Sequence, residues 1–408
     1  QTAFAVAMGV DVGRIDQGSF GVAVGYTAGK TSQGNYATAV GYSAGQMSQG
    51  QNAIAIGRAA GFSNQGSNSV AIGILAGNNV QGINNVAIGH LAGSTGQGNA
   101  GTAVGVSAGR YNQAASTVAM GQETGFSGQG ISGTAIGHQA ARINQGAYST
   151  AVGYSAAYQN QGGSATAVGN QAGKNNQGIS AVAIGEAAGQ NAQGISAVAI
   201  GEAAGQSNQS DNAVAIGNEA GRYNQRNNAT AVGNQAGTNS QRMFCVAIGH
   251  ACGTYGQSKA DDNSRSVAVG ADSGFCNQGI HSIAIGHFAG YSNQPDQCTI
   301  LNASGVYVNG STNGFHVRPI NTGSGSAVYY NTGTHQFVYA SSDDRLKIQE
   351  VPIKNATTTL MKLFPQNYLK KSQLDKPDIS HYESGLMAQD LWYDVPELRH
   401  IVELGEYA

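Results

Sequence analysis

From Val6 to Gly286 the chain repeats one short phrase: a β-branched residue, Ala, then Val, Ile or Met, then Gly. The register glycines run Gly9, Gly25, Gly41 and onward to Gly249 at a spacing of sixteen, then resume at Gly270 and Gly286 after a five-residue insertion, eighteen copies in all. Two residues before each glycine stands Ala (Ala23, Ala183), and one before it Val, Ile or Met (Val24, Ile184, Met120). Alternation of this kind with β-branched enrichment predicts a short strand whose two faces differ. Four residues after the register glycine comes a second Gly or an Ala (Gly29, Gly189, Ala141), and eight after it comes Gln in every copy (Gln33, Gln193). A strict short period marks coils that cannot bury a core alone and must stack on one another. A helix is excluded, because paired glycines in each coil would cost it about 1 kcal/mol apiece. The reading is an all-β repeat, a parallel β-roll or β-solenoid of 16-residue coils about 85 Å long at one strand spacing per coil. Stacking places the Gln amides in a column where each can donate to and accept from the next. Two arrangements of the strand faces remain open: Ala inside with Val and Ile left as an outer stripe, or the inverse.

Composition narrows the class. Charged residues make up only 10% and the net charge is −2, which leaves no basic face for nucleic acid. No apolar run approaches the length of a membrane span. The chain opens at Gln1 already in register, so a segment of a longer polypeptide is expected. Cys245, Cys252, Cys276 and Cys298 lack zinc-ligand spacing and read as buried thiols rather than disulfides. His90, His138, His250 and His287 follow register glycines in a column shared with Tyr, Arg, Asn and Glu, which reads as a surface position rather than a metal site. Glu186 and Glu202 stack one coil apart and could hold a cation. Flanked by Asn170 and Asn218, they read better as solvated carboxylates. The insertion at 259–265 reads as a surface loop. No metal or other cofactor is expected.

A composition break divides the chain. All six prolines lie at or after Pro295, and the only tryptophan is Trp392. Residues 1–294 are assigned to the repeat shaft and 295–341 to a β-rich connector with strand-like pieces around Val306, Phe315 and Tyr329. Residues 342–408 are assigned to a small α+β domain.

Two resemblances follow from these residues. The Ala-Val-Ala-Ile-Gly strand followed by a small pair resembles the head repeat of trimeric autotransporter adhesins, which implies a left-handed coil and three chains around one axis. The longer loop carrying Gln departs from that repeat. The run Ser341-Ser342-Asp343-Asp344-Arg345-Leu346-Lys347, followed by Gly385-Leu386-Met387-Ala388-Gln389-Asp390-Leu391 and Pro396-Glu397-Leu398, resembles the endosialidase-type intramolecular chaperone, serine peptidase family 74. That resemblance implies a self-processing device at the end of phage and viral fibres. Ser342 would be its nucleophile and Lys347 the base, with Asp343 and Arg345 shaping the loop and Ser341–Ser342 as the scissile bond. A lysine serves as base once burial lowers its pKa. The family usually has Asn-Ile after the lysine, where Gln349-Glu350 stand here, and continues into a long helix beyond the point at which this chain stops. A partial chaperone domain is therefore expected, with at most a single-turnover self-cleaving activity.

The functional expectation is a homotrimeric viral or phage fibre or spike on the virion surface, with a host-surface glycan or receptor as its contact. Nucleic acid and membrane insertion are not expected. The competing readings are a bacterial trimeric adhesin head at the extracellular surface and a glycan-degrading tailspike. The first would end in a membrane barrel rather than in the chaperone motifs. The second needs a carboxylate cluster, and only eleven acidic residues precede Ser342.

Overall fold

The computed structural model describes residues 4–257, 265–320, 328–339, 356–363, 365–368, 383–386 and 393–395. Two units are distinguished, Gln1–Asn321 and Thr322–Ala408.

The first unit is a parallel β-solenoid. One face of every coil is a short strand, and these build a 20-stranded sheet; the opposite face builds a 13-stranded sheet, prolonged by isolated parallel bridges as far as Cys276↔Ser292. Register is sixteen residues throughout the unbroken repeat, with Val182↔Val198, Ala183↔Ala199 and Ile184↔Ile200 as one example. The insertion leaves the sheet intact, because Val246 pairs with Val267 and Ala247 with Ala268. Most of that inserted segment, 258–264, lies outside the described residues.

The coil from Val182 to Ala197 shows why this sequence closes on itself. Ala183, Ala188 and Ala197 are fully buried, and the fourth inward residue is Gln193 at 2% exposure. Three methyl groups and one amide fill the lumen, so the Ala column is the inner face and the Val and Ile columns point outward. Corners need backbone of positive φ, and the coil has it at Gly185, Ala187, Gly189 and Ser196, with a fifth such residue, Ala192, in the middle of the strand Asn191–Gln193. Two of these positions require glycine-like backbone for separate reasons. At Gly185, φ is +123° and a Cβ would sit 2.7 Å from the carbonyl oxygen of Gly201 in the next coil. At Gly189, φ is +52° and a Cβ would sit 2.7 Å from Gln193 Oε1. Ala141 and Ala157 hold that second corner at φ 45° and 47°, so alanine is accepted there.

Inter-coil amides satisfy one another: Val182 N donates to Ala197 O at 2.9 Å, Gly189 N to Ala204 O at 2.9 Å and Gly194 N to Gln209 O at 2.7 Å. The Gln amides bond mainly to backbone carbonyls, and the amide-to-amide ladder is interrupted: Gln193 Oε1, for one, accepts no hydrogen bond among the described residues. Gln193 Nε2 donates to Val182 O across the lumen at 2.7 Å, to Ala197 O at 3.2 Å and to Gln209 Oε1 at 3.2 Å. Buried carbonyls left over by the strands are thereby satisfied. Outward Asn residues in the strands of the 13-stranded sheet add ladders of their own, as in Asn144 to Asn160 to Asn176.

The parallel sheet runs on past residue 294. Cys298–Asn302 pairs with the last repeat strand, Ala284↔Ile300, and Gly314–Arg318 pairs with it in turn. This first part of the sequence-assigned connector extends the stack as a coil of different composition. Ile300 fills the Ala slot at 0% exposure, and Asn302 replaces the register glycine, its Nδ2 donating to His287 O and Val306 O. An atypical end coil is how a solenoid finishes its core.

In the second unit, Val328–Asn331 and Gln336–Tyr339 form an antiparallel hairpin whose turn is closed by Asn331 Oδ1, which accepts from Gly333 N and Thr334 N. A helix spans Ala356–Leu360, and Gln366–Tyr368 pairs antiparallel with Glu383–Gly385.

Candidate functional site

The outer face of the 20-stranded sheet carries two columns of side chains from every repeat coil. One is β-branched, such as Val182, Val198 and Thr230, and half-buried. The other is Val, Ile or Met, with Ile56, Ile88, Ile136, Ile184, Ile216, Ile248 and Ile285 exposed at 38–41%. The lumen cannot take them, because the Ala and Gln columns already fill it. The result is a continuous apolar stripe along one side of the solenoid, interrupted by no charged residue in either column. A stripe of that extent on a solvent-facing sheet is an association surface by its physics.

The 13-stranded face is different. Its outward residues are mostly Ser, Thr, Asn and Gln, with scattered Tyr and Ile, a surface suited to water. Between the two faces, one corner is lined by the residues one, two and five places after the register glycine. Arg142 sits there over Phe126 and Tyr158, donating from Nε to Glu123 Oε2 at 2.9 Å and from Nη1 to Tyr158 Oη at 3.0 Å. The Gln139 hydrogen bond is the largest influence on Glu123; burial opposes it, and Arg142 reinforces it, leaving the carboxyl below its usual pKa.

His90, His250 and His287 are exposed and His138 is half-buried against Tyr154, as a surface column requires. Glu186 and Glu202 each accept from a neighbouring amide, Asn170 Nδ2 at 3.3 Å and Asn218 Nδ2 at 3.2 Å. No group of three or more His, Cys, Asp or Glu among the described residues is placed to hold a metal. Cys245, Cys252 and Cys298 are buried and Cys276 is half-buried, with the Cys245 sulfur 3.2 Å from Ser266 Oγ. Burial pushes the Cys252 thiol up to about 12, and it raises Cys298 as well. Among the described residues no helix is long and apolar enough to cross a membrane.

The residues expected to carry chemistry, Ser342, Lys347, Asp343, Arg345 and the Ser341–Ser342 bond, lie outside the described residues. Of the second motif, Gly385 closes the strand Glu383–Gly385 and Leu386 follows it, exposed. Of the five positions of positive φ in each coil, the two glycine columns are legible in the sequence; sequence reasoning missed the other three, which hold residues as different as Asn, Ser, Ala, Leu, Gln and Glu with no shared chemistry to betray them.

No curated protein and no solved structure matches this chain. Residues 342–400 match the family model described as chaperone of endosialidase, so the chain is a parallel β-solenoid followed in sequence by a region similar to that family.

Proposed function

We propose that this protein is a homotrimeric fibre or spike of a virus or phage, in which three solenoids meet along their apolar stripes. The observation that carries the reading is the outward Val/Ile/Thr face, repeated in every coil and followed in the same chain by a chaperone-of-endosialidase region. Burying the exposed part of each Ile contributes about 1.5–2 kcal/mol at 25 cal/mol per Å². Many weak coil contacts then add to a seam that dissociates slowly. Identical coils create a second need, since a slip by one coil would still match apolar to apolar. A chaperone at one end sets the register from which the rod winds.

Once the three chains are wound, the chaperone departs. In this reading Ser342 attacks the carbonyl carbon of Ser341 while Lys347 takes the hydroxyl proton. The amine of residue 342 leaves, and water hydrolyses any ester that forms. The freed shaft projects outward, extracellular or on the virion, with its polar corners as the surface that a host glycan or receptor would meet.

Expression of the wild-type chain beside Ser342→Ala tests the processing step. The expected result is a fragment beginning at Ser342 from wild type only, seen on a denaturing gel and by intact mass. Identical uncut bands from both would overturn the cleavage assignment.

A further inference from the structure

The corner between the two sheets opens, near the start of the solenoid, into a cleft of about 590 Å³ lined by Tyr42, Ser43, Arg58, Ala59, Phe62 and Leu75. The volume is in the range that holds a small ligand. We propose that this cleft binds a carboxylate-bearing saccharide, with Arg58 taking the carboxylate and Tyr42 and Phe62 supplying surface to the apolar face of the sugar ring. The assignment rests on the reading of the rod as an exposed shaft and adds to it a site and a ligand class.

Charge is the first argument. Arg142 and Arg222, on the opposite wall of the same corner further along, are each turned in to a carboxylate of their own chain, Glu123 and Glu219. Arg58 has no such partner: its guanidinium makes no hydrogen bond or ion pair among the described residues. The sequence offers none nearby, since no Asp or Glu occurs between Asp16 and Glu123 while Lys30, Arg58 and Arg110 all fall in that interval. An anion entering the cleft meets an uncompensated cation.

Shape is the second. The Tyr42 ring stacks on Tyr26 at 5.2 Å with planes 10° apart, so one face is occupied and the ring is held square to the rod axis. Its other face looks toward the coil of Arg58, where no ring covers it. Phe62 stands across the cleft, and the floor is made by the short side chains Ser43 and Ala59. A planar carboxylate suits the fork of a single Arg, which binds it through two parallel hydrogen bonds. A phosphate dianion would call on several converging donors. Here one cation stands beside two rings, and of the two hydroxyls in the lining, that of Ser43 is already paired with Thr27 Oγ1 at 2.9 Å.

The test is binding to the full-length protein by calorimetry. The probe is a tetrasaccharide alternating glucuronate with N-acetylglucosamine, measured beside its carboxyl-reduced neutral form and inorganic phosphate. The expected result is binding of the acidic form that weakens with salt. Arg58→Gln should lose about tenfold or more, Arg58→Lys should fall between, and Tyr42→Ala should lose affinity without loss of fold. The proposal is overturned if Arg58→Gln binds as wild type does or if the neutral sugar binds equally. It is also overturned if phosphate displaces the acidic sugar at equal concentration, or if no uptake is seen up to roughly 10 mM, a Kd limit near 3 kcal/mol. Sedimentation of the same samples separates the two readings, since a trimer that ignores the sugar sinks the site alone.

Discussion

Replacing Gly185 by Ala adds one methyl group at a place where the fold has no room for it. The new Cβ would stand 2.7 Å from the carbonyl oxygen of Gly201 and 2.8 Å from its carbon. Both are backbone atoms of the next coil, so relief requires the coils to part, and parting them stretches the hydrogen bonds that set their spacing. Overpacking of this kind costs about 1–3 kcal/mol. The backbone at φ +123° adds a further cost of about 1–3 kcal/mol for any residue with a side chain. Together the expected loss is about 2–6 kcal/mol. Gly163→Ala is the matched control, since the nearest atom to its Cβ is Ala147 O at 3.5 Å, an ordinary contact. There, lower unfolded-chain entropy leaves the substitution neutral or stabilising by up to about 1 kcal/mol. Urea unfolding followed by far-ultraviolet circular dichroism reads both. Hydrogen exchange should further show protection lost first in the coils beside Gly185, because a solenoid is stabilised neighbour by neighbour. Two variants with midpoints equivalent to within about 0.5 kcal/mol would refute the close approach of coils on which the argument stands.

Gln193→Leu keeps the volume but removes the donor to Val182 O, Ala197 O and Gln209 Oε1, and should cost about 2–4 kcal/mol in the same urea assay. Thiol labelling of the native protein at pH 8 should modify Cys276 first and spare Cys252, whose pKa of about 12 leaves almost no thiolate; full labelling should appear only in denaturant. The Glu123 carboxyl has a folded pKa below its usual 4.5, so its contribution is present above that value and lost as pH falls through the folded one. The stability gap between wild type and Glu123→Gln should therefore be widest near neutrality and shrink below about pH 4.5, as urea midpoints across pH would show.

Period and composition carried most of the shaft. A fixed recurrence of Gly, Ala and Gln can only be read as stacked coils, and the pairing Ala183↔Ala199 realises it. Which strand face points inward was not legible, because Ala and Val or Ile are all apolar. The width of the lumen decides it, and that width is set by Gln193 reaching across to Val182 O, a contact between residues eleven apart in sequence. The same contact explains why an amide-to-amide ladder was only part of the story. Ile300 and Asn302 hid the extension of the sheet, since they break the repeated phrase while keeping its backbone pairing. The corner positions escaped notice because backbone conformation, not side-chain chemistry, unites Leu75, Glu123 and Ala203. Arg58 carried no motif at all. Its meaning came from what surrounds it and from the carboxylates that are missing along that stretch of chain.

The account stands most directly on the number of chains in solution. Sedimentation equilibrium of the wild-type protein, with Ile184→Glu as its partner sample, measures that number without reference to any shape. Three copies of the 41.5 kDa chain, or of the fragment left by cleavage, are predicted for wild type, and Ile184→Glu, which sets a carboxylate from each chain in the seam, is predicted to dissociate. A folded wild-type protein that sediments as a single chain at every concentration would contradict the seam.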